Sequence, residues 1–338
     1  MHFFHLARRT IVPPHALLMP LAAQCGRSLS TSAASSRSAL IKELRSRTSA
    51  PMKKCVEALN EANGDVDEAA TILRKAGLAA AQKKAGRGAT EGATAVAHGN
   101  GMLAVVEVNS ETDFVARNEL FQVLVGRIAQ TALSLPAADS TTTHVQLDPA
   151  AISAAPLDGD VSTVGEALGV AVSQLGENLV LRRACRLATP PEGGLVASYV
   201  HNTYSPGVGR TAAAVALRSS ATDTDAVRTL GERLAMHVVA AAPQYLDRTA
   251  VPEEALERER TILAEQAAAS GKSQQVIDKM VEGRLKKFYG EVCLLEQQFL
   301  IDDSAGAISK VLEAASKDLG AEVSLDGFVR YHVGEEAA

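Results

Sequence analysis

Apolar residues recur along this chain with two different periods, and the alternation between the periods divides it. At Met52, Cys55, Val56 and Leu59 the spacing is i, i+3, i+4, i+7, which is one face of a helix. Ser49 is placed to cap that helix, and Pro51 to sit in its first turn, where a missing N–H is harmless. Asp65 followed by Glu68 has the spacing of a capping box opening a further short helix, and Gly77 is placed to close it. Ala95 to His98, a Gly-Asn-Gly turn and Leu103 to Val108 read as a β-hairpin, followed by a helix with Phe121, Leu124, Val125, Ile128 and Ala132 on one face. Val196 to His201, a longer turn through Pro206 and Gly207, and Thr211 to Leu217 repeat the plan. The helix after them carries Val227, Leu230, Leu234 and Val238 on one face. The expectation is an internal duplication of a β-hairpin/helix unit, with two small antiparallel sheets packed with helices.

Two further stretches complete the α+β outline. Three short helices between Ala39 and Leu78 resemble the ubiquitin-associated fold. From Pro252 to Tyr289 the pattern turns to charged helices broken at Ser270-Gly271. Val276, Ile277, Met280, Val281, Leu285 and Phe288 stand at helical spacing there, with Ile262 and Leu263 able to pack on them. That predicts an antiparallel helical hairpin projecting from the core. The expected organisation is a presequence over 1–36, the three-helix module over 37–78 and a partly helical Ala-, Gly- and Lys-rich linker over 79–93. Core repeats follow over 94–180 and 181–251, then the arm over 252–290 and a C-terminal return to the core over 291–338. The Pro-, Asp- and Ala-rich stretch from Leu135 to Asp160 reads as a surface loop.

Composition narrows the function. The first acidic residue is Glu43, and the Arg-, Ser-, Ala- and Leu-rich stretch before it has a transit-peptide composition. Arg27, Leu29 and Ser32 have the spacing of matrix presequences trimmed in two steps, with the final cut near Ser36 and Arg37, so the expected location is the mitochondrial matrix. Without residues 1–36 the chain carries 31 basic against 39 acidic residues, a surface that repels phosphate backbones. Trp is absent and aromatic content is 4%, so there is little material for base stacking, and no direct nucleic-acid or membrane contact is expected. Cys55, Cys185 and Cys293 form no C-x-x-C pair, against a zinc site or disulfide framework. His98, His144, His201, His237 and His332 match no metalloprotease pattern, and no Gly-x-x-x-x-Gly-Lys loop exists. Neither an enzyme nor a bound cofactor or metal is expected.

The informative segment is Glu107-Val-Asn-Ser-Glu-Thr-Asp-Phe-Val-Ala-Arg117. Read physically it is a strand end turning into a helix start, with Thr112 or Asp113 as cap. Phe114 either staples that helix to the core or serves a partner. The segment resembles the signature of the elongation factor Ts family at all eleven positions. Further blocks resemble that family in order: Leu44-Arg45-x-x-Thr48, Met52-Lys53-Lys54-Cys55, Asn63-Gly64-Asp65, Lys75-Ala76-Gly77-Leu78, Gly176-Glu177-Asn178 with Arg182-Arg183, Tyr199-Val200-His201, Met236-His237, Pro243-Gln244-Tyr245-Leu246, Val281-Glu282-Gly283-Arg284 and Cys293-Leu294-Leu295-Glu296-Gln297. Ser49-Ala50-Pro51 departs from the pattern, where a Gly-containing triplet is common.

The resemblance implies a nucleotide-exchange factor that binds elongation factor Tu carrying GDP. It implies that Thr112, Asp113, Phe114 and Val115 disturb the partner's Mg²⁺ site, and that Met52, Leu175, Gly176, His201, Met236 and His237 make further partner contacts. The competing reading is a matrix adaptor that grips a helix or nascent chain through the N-terminal module, without exchange activity.

Overall fold

The computed structural model describes residues 37–48, 50–136, 143–222, 224–268 and 274–336. The expected presequence, the Ser49 cap and the break at Ser270-Gly271 lie outside the described residues. Three helices come first: α1 (Arg37–Thr48), α2 (Met52–Glu61) and α3 (Val66–Lys84). They close around Leu44, Cys55, Ala58, Leu59 and Ala69. Asp65 caps α3 by accepting from the Asp67 and Glu68 amides at 2.8 and 3.0 Å. Pro51 is the residue before α2 rather than part of its first turn, and Met52, counted in the apolar stripe, is exposed.

The third helix does not end at Gly77. It runs on to Lys84, through the first six residues of the expected linker, because Gly77 faces a neighbour rather than a turn. A Cβ there would lie 3.1 Å from the Gly169 carbonyl oxygen and 3.2 Å from Val170 Cα of a later helix. Those are backbone atoms that no rotamer change moves. We therefore expect Gly77→Val to push the helices apart and to lose about 1–3 kcal/mol by overpacking, despite its helical position. Thermal unfolding and proteolytic nicking after residue 84 would report it; unchanged values for both would contradict the close packing.

The core follows as β1 (Glu91–Gly99), β2 (Met102–Ser110), α4 (Asp113–Ala116), α5 (Glu119–Ser134), β3 (His144–Leu147), α6 (Pro149–Ala154), α7 (Val164–Leu175), β4 (Leu179–Ala188), β5 (Gly194–Ser205), β6 (Val208–Ser219) and α8 (Thr224–Ala241). After α9 (Glu253–Ala268) and α10 (Gln274–Val292), α11 (Ile308–Leu319) and β7 (Val323–His332) return to it. The repeated hairpin and helix are present as β1-β2-α5 and β5-β6-α8. The strands β5 and β6 are longer than expected, meeting at a two-residue Pro206-Gly207 turn with a bulge between Thr203 and Ser205.

Two corrections concern this region. The stretch 135–160 holds β3 and α6, with Ile152 and Leu157 fully buried, rather than only a surface loop. The boundary at 180/181 falls inside β4, which pairs with β2 and β3 and so belongs with the first repeat.

The two expected sheets are one. Seven strands run in the order β3-β4-β2-β1-β6-β5, with β7 also on β6. Among the described residues the strand pairing between the halves runs through Thr94 facing Gly209 and Ala95 facing Val208, with the Val96 amide donating to the Gly207 carbonyl at 2.9 Å. Gly209 answers to its own hairpin rather than to that join, since a Cβ on it would stand 2.7 Å from Val200 Cγ1 and 2.8 Å from the His201 carbonyl oxygen of β5.

Strand alternation then makes three buried layers. Ala104, Val106 and Val108 of β2 face α5, with Phe121, Val125 and Ile128 beneath them. Leu103 and Val105 face the other way, against Ala212, Ala214, Ala216, Val329 and Tyr331, so the sheet folds back on itself. Ala213, Val215 and Leu217 cover Val227, Leu234 and Val238 of α8, with Ile308 and Leu312 of α11. Helices α9 and α10 run alongside each other: Arg284 donates to Gln266 at 2.6 Å, and Leu256 clusters with Leu285, Phe288 and Val292 at the base.

Candidate functional site

The signature segment begins on a buried carboxylate. Glu107, three residues before the end of β2, has no exposed surface, yet it is fully partnered. One oxygen accepts from Arg183 Nε at 2.6 Å; the other accepts from Arg182, Asn109 and the Gly334 amide at 3.0–3.2 Å. Arg183 lies over the Tyr331 ring, 4.3 Å from its centroid, and donates to the His332 carbonyl. The strand end is thereby tied to the tail of β7.

Beyond it, two carboxylates reach across to the turn after α7 in opposite senses. Glu111 accepts from the Asn178 amide at 2.6 Å, and Glu177 accepts from the amide and hydroxyl of Thr112 at 3.0 and 2.6 Å. From Thr112 the chain enters the four-residue α4. Val115 and Ala116 turn inward and are buried, whereas Phe114 turns outward and is 80% exposed. The staple reading of Phe114 is therefore excluded. Asp113 sits beside it, 3.6 Å from Arg117, and that guanidinium lies 5.9 Å from the Tyr204 ring centroid. An exposed Phe on a short, anchored turn has the form of a contact residue for another macromolecule.

The remaining residues singled out from sequence divide into two groups. Leu175 and Gly176 end α7 beside the Thr112–Glu177 link, with Gly176 in the left-handed region at φ 83° and Leu175 half-buried. Met52 is 59% exposed on α2, near the same end of α7, because Lys54 bonds to Ser173. His201 is exposed on β5, within 3.4 Å of the Tyr199 hydroxyl. Met236 is half-buried on α8 in the second half.

His237 is a correction. It has no exposed surface, and both ring nitrogens are engaged internally, Nδ1 accepting from the Leu300 amide at 3.2 Å and Nε2 meeting Gln297 Oε1 at 3.0 Å. A partner does not touch it directly. Burial holds its pKa below the ordinary 6.5. The neutral ring's contribution to stability is thus complete above that ordinary value and declines as pH falls below it toward the lowered folded value. Melting temperature should drop between pH 7.5 and 5.5, and drop less in His237→Gln; equal drops would remove His237 from the account.

Sequence reasoning missed Glu107, Glu111 and Glu177 as anchors, although Arg182-Arg183 and Asn178 stood in the quoted blocks. It also missed a cleft of about 540 Å³ between the helical module and the core, lined by Lys54, Arg74, Leu120, Val123, Arg127 and Gln174 among others. Among the described residues no cluster of three or more His, Cys, Asp or Glu is placed to hold a metal, and no helix is long and apolar enough to cross a membrane.

A sequence profile described as Elongation factor TS matches residues 111–335. The chain belongs to the elongation factor Ts family. It is 48% identical to Elongation factor Ts of Paramagnetospirillum magneticum over 296 residues, covering 88% of this chain and 90% of that protein. It is likewise 48% identical to Elongation factor Ts of Rhodospirillum rubrum over 297 residues, with 88% and 92% covered. A maize relative named Elongation factor Ts, mitochondrial, is 43% identical over 304 residues, covering 88% of this chain and 79% of the relative. Elongation factor Ts membership makes this a protein of translation elongation with a nucleotide-exchange role, and leaves the adaptor reading unsupported.

Proposed function

We propose that this chain releases GDP from mitochondrial elongation factor Tu by pressing Phe114, with Asp113 beside it, between two helices of the partner's nucleotide domain. The observation that carries this reading is the 80% exposure of Phe114 on a turn whose neighbours Val115 and Ala116 are buried. Burying a Phe on a partner stabilises the contact by about 1.5–3 kcal/mol, enough to hold a small displacement. Mg²⁺ bound between protein and phosphate oxygens demands near-octahedral geometry, so a small shift of its ligands weakens nucleotide binding sharply. Exchange is then a linkage effect, in which whatever factor this chain removes from GDP affinity GDP removes from this chain's affinity. The deciding experiment is release of fluorescent GDP from mitochondrial elongation factor Tu with and without the chain. Catalytic acceleration supports the reading, and no acceleration at saturating chain overturns it.

The finer architecture follows the same reading. The α1–α3 bundle, read as ubiquitin-associated-like, joins the first half of the core in contacting the nucleotide domain, and the second half leans on a distal domain of the partner. Removal of residues 1–36 on entry to the matrix is supported by their acid-free composition and by the maize mitochondrial relative. The α9–α10 pair is read as a projecting arm. Replacing residues 260–284 with a short Gly-Ser turn spares Leu256, Leu285 and Phe288 at its base. We expect that variant to melt near the parent and to release GDP within a few-fold of it; an inactive product would make the arm part of the exchange surface.

A further inference from the structure

We propose that Glu177 is the positioning residue of the exchange segment: fixed at the end of α7, its carboxylate holds Thr112 so that Phe114 stands outward before a partner arrives. The proposal rests on the reading of Phe114 given above. A helix of four residues does not persist on its own hydrogen bonds, because nucleation is unfavourable and propagation never begins. Something outside α4 must hold it. Thr112 occupies the cap position, but its side chain makes no cap bond to α4. Its hydroxyl and its amide both donate to Glu177, at 2.6 and 3.0 Å. Two bonds from one residue to one carboxylate fix rotation as well as distance, and bonds to an ionised acceptor are the stronger kind.

The end of α7 is itself a fixed platform. Gln174 donates to the Thr48 carbonyl at 2.5 Å, Lys54 to the Ser173 carbonyl at 3.3 Å, and Lys84 to the Gly176 carbonyl. All three bonds come between α7 and the helical module. The turn is also tied back by Asn178 to Glu111 at 2.6 Å and to the Arg87 carbonyl at 2.9 Å. Glu177 therefore stands where the module, α7 and the exchange segment meet. A module seated on the partner steadies the same turn that aims Phe114.

The test measures kcat and KM for GDP release from elongation factor Tu, with a melting curve for every variant. Glu177→Ala should lower kcat about tenfold, the factor that about 1.4 kcal/mol represents, while KM stays within about twofold and the fold is kept. Thr112→Val removes the hydroxyl bond from the other side and should show a smaller loss of the same kind. Glu177→Gln, which keeps an acceptor, should recover part of the rate. In a Phe114→Ala background, adding Glu177→Ala should change kcat by less than about twofold, because residues acting as a unit are not additive.

Normal kcat in Glu177→Ala, or its full loss added on top of Phe114→Ala, overturns the proposal. Should Glu177→Ala not fold, Thr112→Val carries the same cycle with Phe114→Ala, and additivity there overturns it. Failure of the underlying reading looks different: Phe114→Ala would then exchange like the parent, whereas a defective Phe114→Ala beside a normal Glu177→Ala removes only the role of Glu177.

Discussion

Phe114→Ala is expected to leave the fold intact and to cut GDP release from elongation factor Tu by about thirtyfold or more. The first half follows from its 80% exposure: truncating an exposed side chain shifts stability by no more than about 0.5 kcal/mol. The second follows from hot-spot energetics, since a central aromatic anchor contributes about 2–4 kcal/mol to its interface. Asp113→Ala should act in the same direction, and raising Mg²⁺ should deepen both defects, because metal-bridged GDP then competes better with a weakened wedge. Phe121, seven residues on and fully buried under β2, is the control. Phe121→Ala should lose about 3–5 kcal/mol of stability, with exchange falling only as the folded fraction does. If Phe114→Ala unfolds as Phe121→Ala does, or exchanges normally, the wedge is misassigned.

Glu107→Ala should be the most destabilising polar substitution near the site. It would strip the acceptor from Arg182, Arg183, Asn109 and the Gly334 amide at once. Breaking a buried ion pair from one side loses about 3–5 kcal/mol, and because the two Arg side chains retain 30% and 18% exposure the lower end applies here. Urea unfolding should show a loss of about 3 kcal/mol for Glu107→Ala and less for Glu107→Gln, which keeps the shape and two acceptor lone pairs. A loss below about 0.5 kcal/mol for Glu107→Ala would mean that the network is an arrangement without consequence.

Much of this was legible in the chain because periodicity reports burial directly. The face Phe121, Leu124, Val125, Ile128 and Ala132 is buried as read, and the hairpin at Asn100-Gly101 turns where those residues demand. What was not legible depended on partners distant in sequence. Gly77 has the local look of a helix end, and only Gly169, ninety-two residues on, explains why the helix continues. The two sheets became one through a pairing of Thr94 and Ala95 with residues 208 and 209, which leaves no mark in either strand. His237 stands in one block with Met236, but adjacent residues on a helix point in different directions, one inward to Gln297. Phe114 was ambiguous for the same reason, since a staple and a contact residue are written with the same letter.

The folded-back sheet also distributes the cysteines in a useful way. Cys55 lies in the three-helix bundle, Cys185 between the two halves of the sheet and Cys293 at the base of α9 and α10, each buried in a different cluster. Burial pushes the Cys293 thiol up to about 11 and the Cys185 thiol up to about 12, so both are inert until their surroundings open. Each of these three thiols therefore reports the opening of its own region to an alkylating reagent, and labelling followed by peptide mapping, which sets Cys25 of the expected presequence apart, gives three local opening rates without any substitution. Cys185 is the informative one, because it is reached only when the halves part, and a partner that clamps both halves should slow its labelling while leaving Cys293 unchanged.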